Sequence, residues 1–129
     1  MIMPLQRVLY VEDDPSIQTV VKLALELVGG YQVEVCDSGR AAIAALQRFR
    51  PQLALLDVMM PGMDGPTTLQ HLREQFGFER LPAIFMTAKV QPAEVAVLKS
   101  QGALGVIAKP FDPMTLGGEL ERLWAGQPG

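Results

Sequence analysis

The sequence predicts an α/β protein: a doubly wound, five-stranded parallel sheet of order 2-1-3-4-5 with helices on both faces. Three observations predict it. Five short apolar runs alternate with five helical patterns, an alternation that favours parallel strands joined by right-handed crossovers. The third run, Gln52 to Leu56, lacks polar alternation, as a strand covered on both faces should. Leu9-Tyr10-Val11 runs straight into Glu12-Asp13-Asp14, and Leu53-Ala54-Leu55-Leu56 into Asp57. Strands 1 and 3 flank the switch point of such a sheet, and its sites lie beyond their carboxyl ends.

The elements follow in order. Arg7 to Val11 reads as strand 1. Asp14-Pro15 supplies an N-cap and a proline at the first helical position; Ile17, Val20, Val21, Ala24 and Val28 then recur at helical spacing until Gly29-Gly30 stops helix 1. Tyr31 to Cys36 alternates like an edge strand. Ser38 caps helix 2, which carries Ala41, Ala42, Ala45 and Leu46 and is closed by Pro51. After strand 3, Met59 to Gly65 is a loop rich in turn residues. Pro66 opens helix 3, with Leu69, Leu72 and Phe76 on one side; Asp64 before it reads as a turn or cap residue. Pro82 to Met86 is strand 4, Pro92 to Gln101 helix 4, and Leu104 to Ala108 strand 5. Asp112-Pro113 caps helix 5, where Leu116, Leu120 and Leu123 share a face. Gly117-Gly118 should weaken that helix by roughly 1 kcal/mol per glycine. Gln127 to Gly129 reads as a frayed end.

Length and charge narrow the function classes. With 129 residues the chain suits one domain, 1–129, with a core of about 6–125. Its net charge is −3 and no segment clusters Lys and Arg, which argues against direct DNA binding. One cysteine, Cys36, cannot pair within the chain and reads as a small buried hydrophobe. No signal peptide is visible, and no run approaches the roughly 18 apolar residues of a membrane span. A cytoplasmic location is the expectation. His71 reads as exposed, Trp124 as a packing residue, and Met59, Met60 and Met63 as loop packing.

The acids carry the chemistry. Like charges gathered at one sheet edge are unfavourable unless a cation sits among them. Strand 5 answers them with Lys109-Pro110. With one His and one Cys against several carboxylates, the donors suit magnesium better than zinc. Taken singly, each residue has a plainer reading. Asp57 would be a turn residue, Thr87 an ordinary strand residue and Lys109 a solvated surface group. Asp14 is explained by helix capping alone. The joint arrangement of Glu12, Asp13, Asp57, Thr87 and Lys109 is what argues for a site.

Four stretches carry a resemblance: Val11-Glu12-Asp13-Asp14, Leu56 to Gly65, Met86-Thr87-Ala88 and Ala108-Lys109-Pro110-Phe111. In order, and at the ends of strands 1, 3, 4 and 5, they resemble the response regulator receiver domain, of the stand-alone, CheY-like type. The resemblance covers nearly the whole chain. The order 2-1-3-4-5 is already known for such flavodoxin-like or CheY-like sheets, so the resemblance implies it as much as the alternation does. Position by position it implies that Asp57 accepts a phosphoryl group in a Mg2+-dependent reaction. Asp13 is then a direct metal ligand, Glu12 its acidic neighbour reaching the metal through water, and the Met59 backbone carbonyl a further ligand. Thr87 bonds the phosphoryl group, Lys109 pairs with it, and the Lys109–Pro110 bond is cis.

The resemblance also implies partners: a sensor histidine kinase or histidine phosphotransferase as donor, and a downstream protein docking on the face of helix 4, strand 5 and helix 5. No membrane contact is expected, and a homodimer is possible. Only one helix follows Lys109, so no output domain is expected. Nor is an enzyme acting on external substrates; the chain would catalyse its own aspartyl phosphorylation and dephosphorylation. The alternatives are a non-phosphorylated receiver-like binding module, a flavodoxin-like electron carrier and a magnesium-dependent phosphohydrolase. Glu12-Asp13-Asp14 would repel a flavin phosphate, and Asp57-Val58-Met59 lacks the second acid of an Asp-x-Asp hydrolase. Val95 to Leu98 make helix 4 apolar on more than one side, as either a contact surface or a well-buried helix would be. One departure stands out. Val106 occupies a position where the family commonly has Tyr or Phe, and a β-branched side chain cannot act as an aromatic rotor. Switching is then expected to use Thr87 and displacement of loop 88–92.

Overall fold

The computed structural model describes residues 2–127. The readings that fall on Met1, Pro128 and Gly129 lie outside these residues. The strands are β1 (Arg7–Val11), β2 (Gln32–Cys36), β3 (Leu53–Asp57), β4 (Ala83–Thr87) and β5 (Gly105–Ala108). The helices are α1 (Pro15–Leu23), continued by a π-helical segment (Ala24–Val28), α2 (Gly39–Phe49), α3 (Gly65–Arg73), α4 (Pro92–Ser100) and α5 (Pro113–Ala125). The sheet is parallel throughout, in the order β2-β1-β3-β4-β5. No helix among the described residues is long and apolar enough to cross a membrane.

Strand periodicity divides the core into two layers. Leu9, Val11, Leu56 and Phe85 pack with residues of α2, α3 and α4 on one face. Val8, Tyr10, Leu53, Leu55, Ile84 and Met86 pack with residues of α1, the π segment and α5 on the other. Every residue of β3 and β4 is buried, in keeping with their place inside the sheet. β3 and β4 each run one residue past their expected ends, because the pairs Asp57↔Met86 and Thr87↔Ala108 extend the ladders. Asp57 and Thr87 are therefore the last strand residues of β3 and β4, held by backbone pairing.

The caps agree with the sequence. Side chains of Asp14, Ser38, Asp64 and Asp112 accept from backbone N–H groups in the first turns of α1, α2, α3 and α5. Trp124 is buried, and its Nε1 donates to the Met3 carbonyl at 2.7 Å. His71 is half-exposed beside Glu74.

Three readings need correction, and the open alternative for helix 4 is decided. Helix 1 does not keep one regular face: the π segment inserts an extra residue in its last turn, with Gly29 N donating to Ala24 O. Ala24 and Leu25 turn inward, while Val20 and Val28 are exposed. Phe76 lies beyond the end of α3 and is 90% exposed, outside the face of Leu69 and Leu72. Helix 4 is not well buried; Leu98 is its one buried residue. The methionines do not behave alike, since Met60 is buried but Met59 is 64% exposed.

The two glycines of α5 have different reasons. A Cβ on Gly117 would stand 3.3 Å from Gly29 Cα, so its absence lets α5 close on the π segment. A Cβ on Gly118 would meet nothing within 4 Å. Gly118→Ala is expected to stabilise the fold by about 1 kcal/mol through helix propensity, read as a higher urea midpoint at unchanged m-value.

Cys36 is buried at the end of β2, and burial pushes its thiol up to about 11. At neutral pH the native thiol is uncharged and enclosed, so alkylating reagents are expected to label it only after unfolding. The unfolded thiol deprotonates near pH 8.5. The thiol's contribution to stability is therefore fully present below that pH. It is lost as pH rises towards the folded value, at no more than about 1.4 kcal/mol per pH unit. A falling melting temperature over this window, absent in Cys36→Ala, checks it.

Candidate functional site

Glu12 continues β1 beyond its last paired residue, with its N–H donating to Cys36 O at 3.0 Å. Lys109 continues β5 in the same way, donating to Thr87 O at 2.9 Å. Alternation along the strands then determines the face. Tyr10 and Glu12, Leu55 and Asp57, and Ile107 and Lys109 are pairs two residues apart, on the α1/α5 side of the sheet. Thr87 follows Phe85 on the α4 side.

The cluster forms at the carboxyl ends of β1, β3 and β5. Lys109 Nζ donates to Glu12 Oε1 at 2.8 Å and to Asp57 Oδ1 at 2.9 Å. Glu12 is 1% exposed and Asp57 5%, so both acids are almost out of water; Asp13 is exposed. One carboxylate oxygen from each of Glu12, Asp13 and Asp57 lies within 4.8 Å of the other two. Lys109 bonds two of these three acids, and Asp13 takes no bond from it. Such a hard-oxygen set suits a divalent cation. Burial is the largest single influence on the Lys109 ammonium and would lower it. The bonds to Glu12 and Asp57 together outweigh burial and hold it above the ordinary lysine value.

Asp14 stays outside this cluster, as the capping reading required. Its Oδ1 accepts from the Ser16 hydroxyl at 2.7 Å and the Ser16 N–H at 2.9 Å, and these bonds hold its carboxyl below the ordinary value. Thr87 is 3% exposed at the end of β4, where its Oγ1 accepts from Lys89 N at 3.1 Å. It borders the cluster on the adjoining strand but turns this bond towards the β4–α4 loop. Met59 stands two residues beyond Asp57 on the loop after β3. Its side chain, with Val58, Thr87 and four residues of α4, lines a cavity of about 350 Å³ on the α4 side. The Lys109–Pro110 peptide is cis, as the resemblance implied.

The sequence reading missed three supports. Tyr10, read only as part of an apolar run, brings its hydroxyl to 3.3 Å from Glu12 Oε1. Gln18 on α1 donates through Nε2 to the Glu12 carbonyl at 2.5 Å. Gly65 donates to Val58 O at 2.9 Å, and a Cβ there would stand 2.4 Å from the Asp57 carbonyl oxygen. The start of α3 thus rests on the backbone of Asp57. The spacing of two between Tyr10 and Glu12 was a usable signal; the Gly65 contact spans a loop and left none. Gly65→Ala must push the β3–α3 loop away, at an expected cost of about 1–3 kcal/mol, measured by urea unfolding.

Known proteins with this fold and sequence pattern agree. The structure matches the chemotaxis protein CheY4 of Vibrio cholerae with a TM-score of 0.84 and 34% identity, over 92% of this chain and 98% of that one. It matches a response regulator from Chloroflexus aurantiacus, described as putative, with a TM-score of 0.82 and 28% identity, over 95% and 99% of the two chains. Among curated sequences, the DNA-binding response regulator MtrA of Mycolicibacterium smegmatis is 36% identical over 111 residues, 86% of this chain and 47% of that protein. The response regulator Rre1 of Synechocystis is 34% identical over 119 residues, 92% of this chain and 52% of that protein. The chain spans about half the length of the curated relatives it matches. The family model for the response regulator receiver domain matches residues 8–121, and the chain belongs to that family: it is the receiver domain of a two-component response regulator.

Proposed function

We propose that Asp57 is the phosphoryl acceptor of this receiver domain and that Lys109, Thr87, Glu12 and Asp13 serve it. The observation that carries the reading is the buried meeting of Lys109 with Glu12 at 2.8 Å and Asp57 at 2.9 Å, next to an exposed Asp13. Asp57 Oδ1 takes the lysine bond, which leaves Oδ2 to attack phosphorus. The Asp57 O–P bond forms, the donor's bond to phosphorus breaks, and the leaving group departs with the electron pair. Glu12, Asp13 and Asp57, with the Met59 carbonyl, would hold Mg2+, which offsets the repulsion between a carboxylate and an already anionic phosphoryl group. Lys109 then pairs with the phosphoryl oxygens as a point charge.

Thr87 reads the change. Its Oγ1 already anchors Lys89, so turning the hydroxyl to a phosphoryl oxygen gives up that bond and releases loop 88–92. Loop 88–92 is exposed and leads into α4, which has a single buried residue, so little packing resists its movement. Val106 is half-buried against the α4-side core and supplies no ring to move. The donor is a sensor histidine kinase or histidine phosphotransferase, and the signal leaves by protein contact at the α4–β5–α5 face. Exposed Val97 and half-buried Val95 on α4 support that surface. The acidic balance of the chain supports a protein-binding domain and not a DNA-contacting one, and its single, unpaired cysteine suits the cytoplasm. Incubation with Mg2+ and a low-molecular-weight acyl phosphate tests the reading. Intact mass should rise by one phosphoryl group, and chelation of the metal should prevent it. An unchanged mass with Mg2+ present favours the non-phosphorylated binding module.

A further inference from the structure

Tyr10 is fully buried in the α1/α5 core, where phenylalanine would pack the same ring without a polar atom to satisfy. Its hydroxyl is spent on a site carboxylate: it stands 3.3 Å from Glu12 Oε1, the oxygen that also accepts Lys109 Nζ at 2.8 Å. Among the described residues Glu12 Oε2 accepts one bond, from Asp14 N, also at 3.3 Å. The Glu12 main chain is held separately by Gln18 Nε2. Oε1 thus faces two donors and Oε2 one, so Lys109 and Tyr10 together bias the carboxylate and leave Oε2 with spare lone-pair capacity. Asp13 beside it is exposed, so Glu12 is the acid whose direction the fold controls.

We infer that Tyr10 is a positioning residue of the cation site: its phenol O–H, acting with Lys109, orients the Glu12 carboxylate and so sets the affinity for a divalent cation. This rests on the reading of Glu12, Asp13 and Asp57 as a Mg2+ site. Partners of that kind hold a ligand in its working orientation, and losing one typically weakens metal binding about 10–100-fold. A role in packing alone would leave metal affinity unchanged when only the hydroxyl is removed.

Isothermal titration with MgCl2 on the wild type, Tyr10→Phe, Glu12→Gln and the double variant tests it. Tyr10→Phe should raise Kd about 10-fold. In the Glu12→Gln background the same change should add nothing, because its effect passes through that carboxylate. Addition of Mg2+ should perturb the near-ultraviolet tyrosine band of the wild type and not that of Tyr10→Phe. A Tyr10→Phe Kd equal to that of the wild type overturns the inference and leaves the metal reading intact. So does an equal loss in both backgrounds. A wild type that binds no Mg2+ overturns both.

Discussion

Asp57→Asn is expected to take no phosphoryl group under conditions that label the wild type fully. The amide keeps the shape of the carboxyl but loses the anionic oxygen that attacks phosphorus. The variant should still fold, because Lys109 keeps Glu12 Oε1 at 2.8 Å and one of three crowded acids has been neutralised. Native circular dichroism with zero mass gain is therefore the predicted pair of observations. Full labelling of the variant would move the acceptor elsewhere. Asp13 is the nearest alternative carboxylate, and peptide mapping would identify it.

Lys109→Ala is expected to have the largest effect on stability. Among the described residues its ammonium is the one cation bonded to both Glu12 and Asp57, and its side chain is only 18% exposed. Removing one partner of a buried pair strands the others, at a cost of roughly 3 kcal/mol. Urea unfolding without divalent ions should read that loss. Mg2+ should stabilise the variant more than the wild type, since it would replace the missing positive charge among the acids. The pH dependence gives a second check. The folded Lys109 ammonium is held above its ordinary value, so its contribution is complete below about pH 10.4. It is lost as pH rises through the folded value. The difference between wild type and variant should thus persist at neutral pH and shrink only in strong alkali. A variant as stable as the wild type at pH 7 would show that solvent already compensates Glu12 and Asp57.

Most of this site was readable along the chain because it sits at strand ends. A strand alternates its side chains with period two and is easily seen as an apolar run. Its last residue then locates a side chain at one edge of the sheet, and the topology of five alternating units brings those edges together. Glu12, Asp57 and Lys109 were found in this way, and Thr87 through the family resemblance. Asp14 and Asp64 were separated from the acids of the site because each precedes a proline-started helix, and both are caps. The helices were read less well. Val20 is exposed on the regular part of α1, and Val28 is exposed at the end of a π turn that no spacing of apolar residues announces. The exposure of α4 was equally hidden, since an apolar sequence such as Val95 to Leu98 suits a buried helix or a contact surface.

The sequence by itself determined which strands end in acids and which ends in the lysine, while their order across the sheet came as much from the family resemblance. The strand ends are local patterns of hydrophobicity, charge and capping. Only the tertiary structure decided which groups hold those acids: Tyr10 beneath Glu12, Gln18 on its carbonyl, and Gly65 against the backbone of Asp57. Hydrogen bonds and close approaches of this kind join neighbouring elements but depend on distances of a few tenths of an ångström. The spacing of two along β1 puts Tyr10 and Glu12 on one face, but the seating of α1 and α3 on the sheet sets the contacts of Gln18 and Gly65.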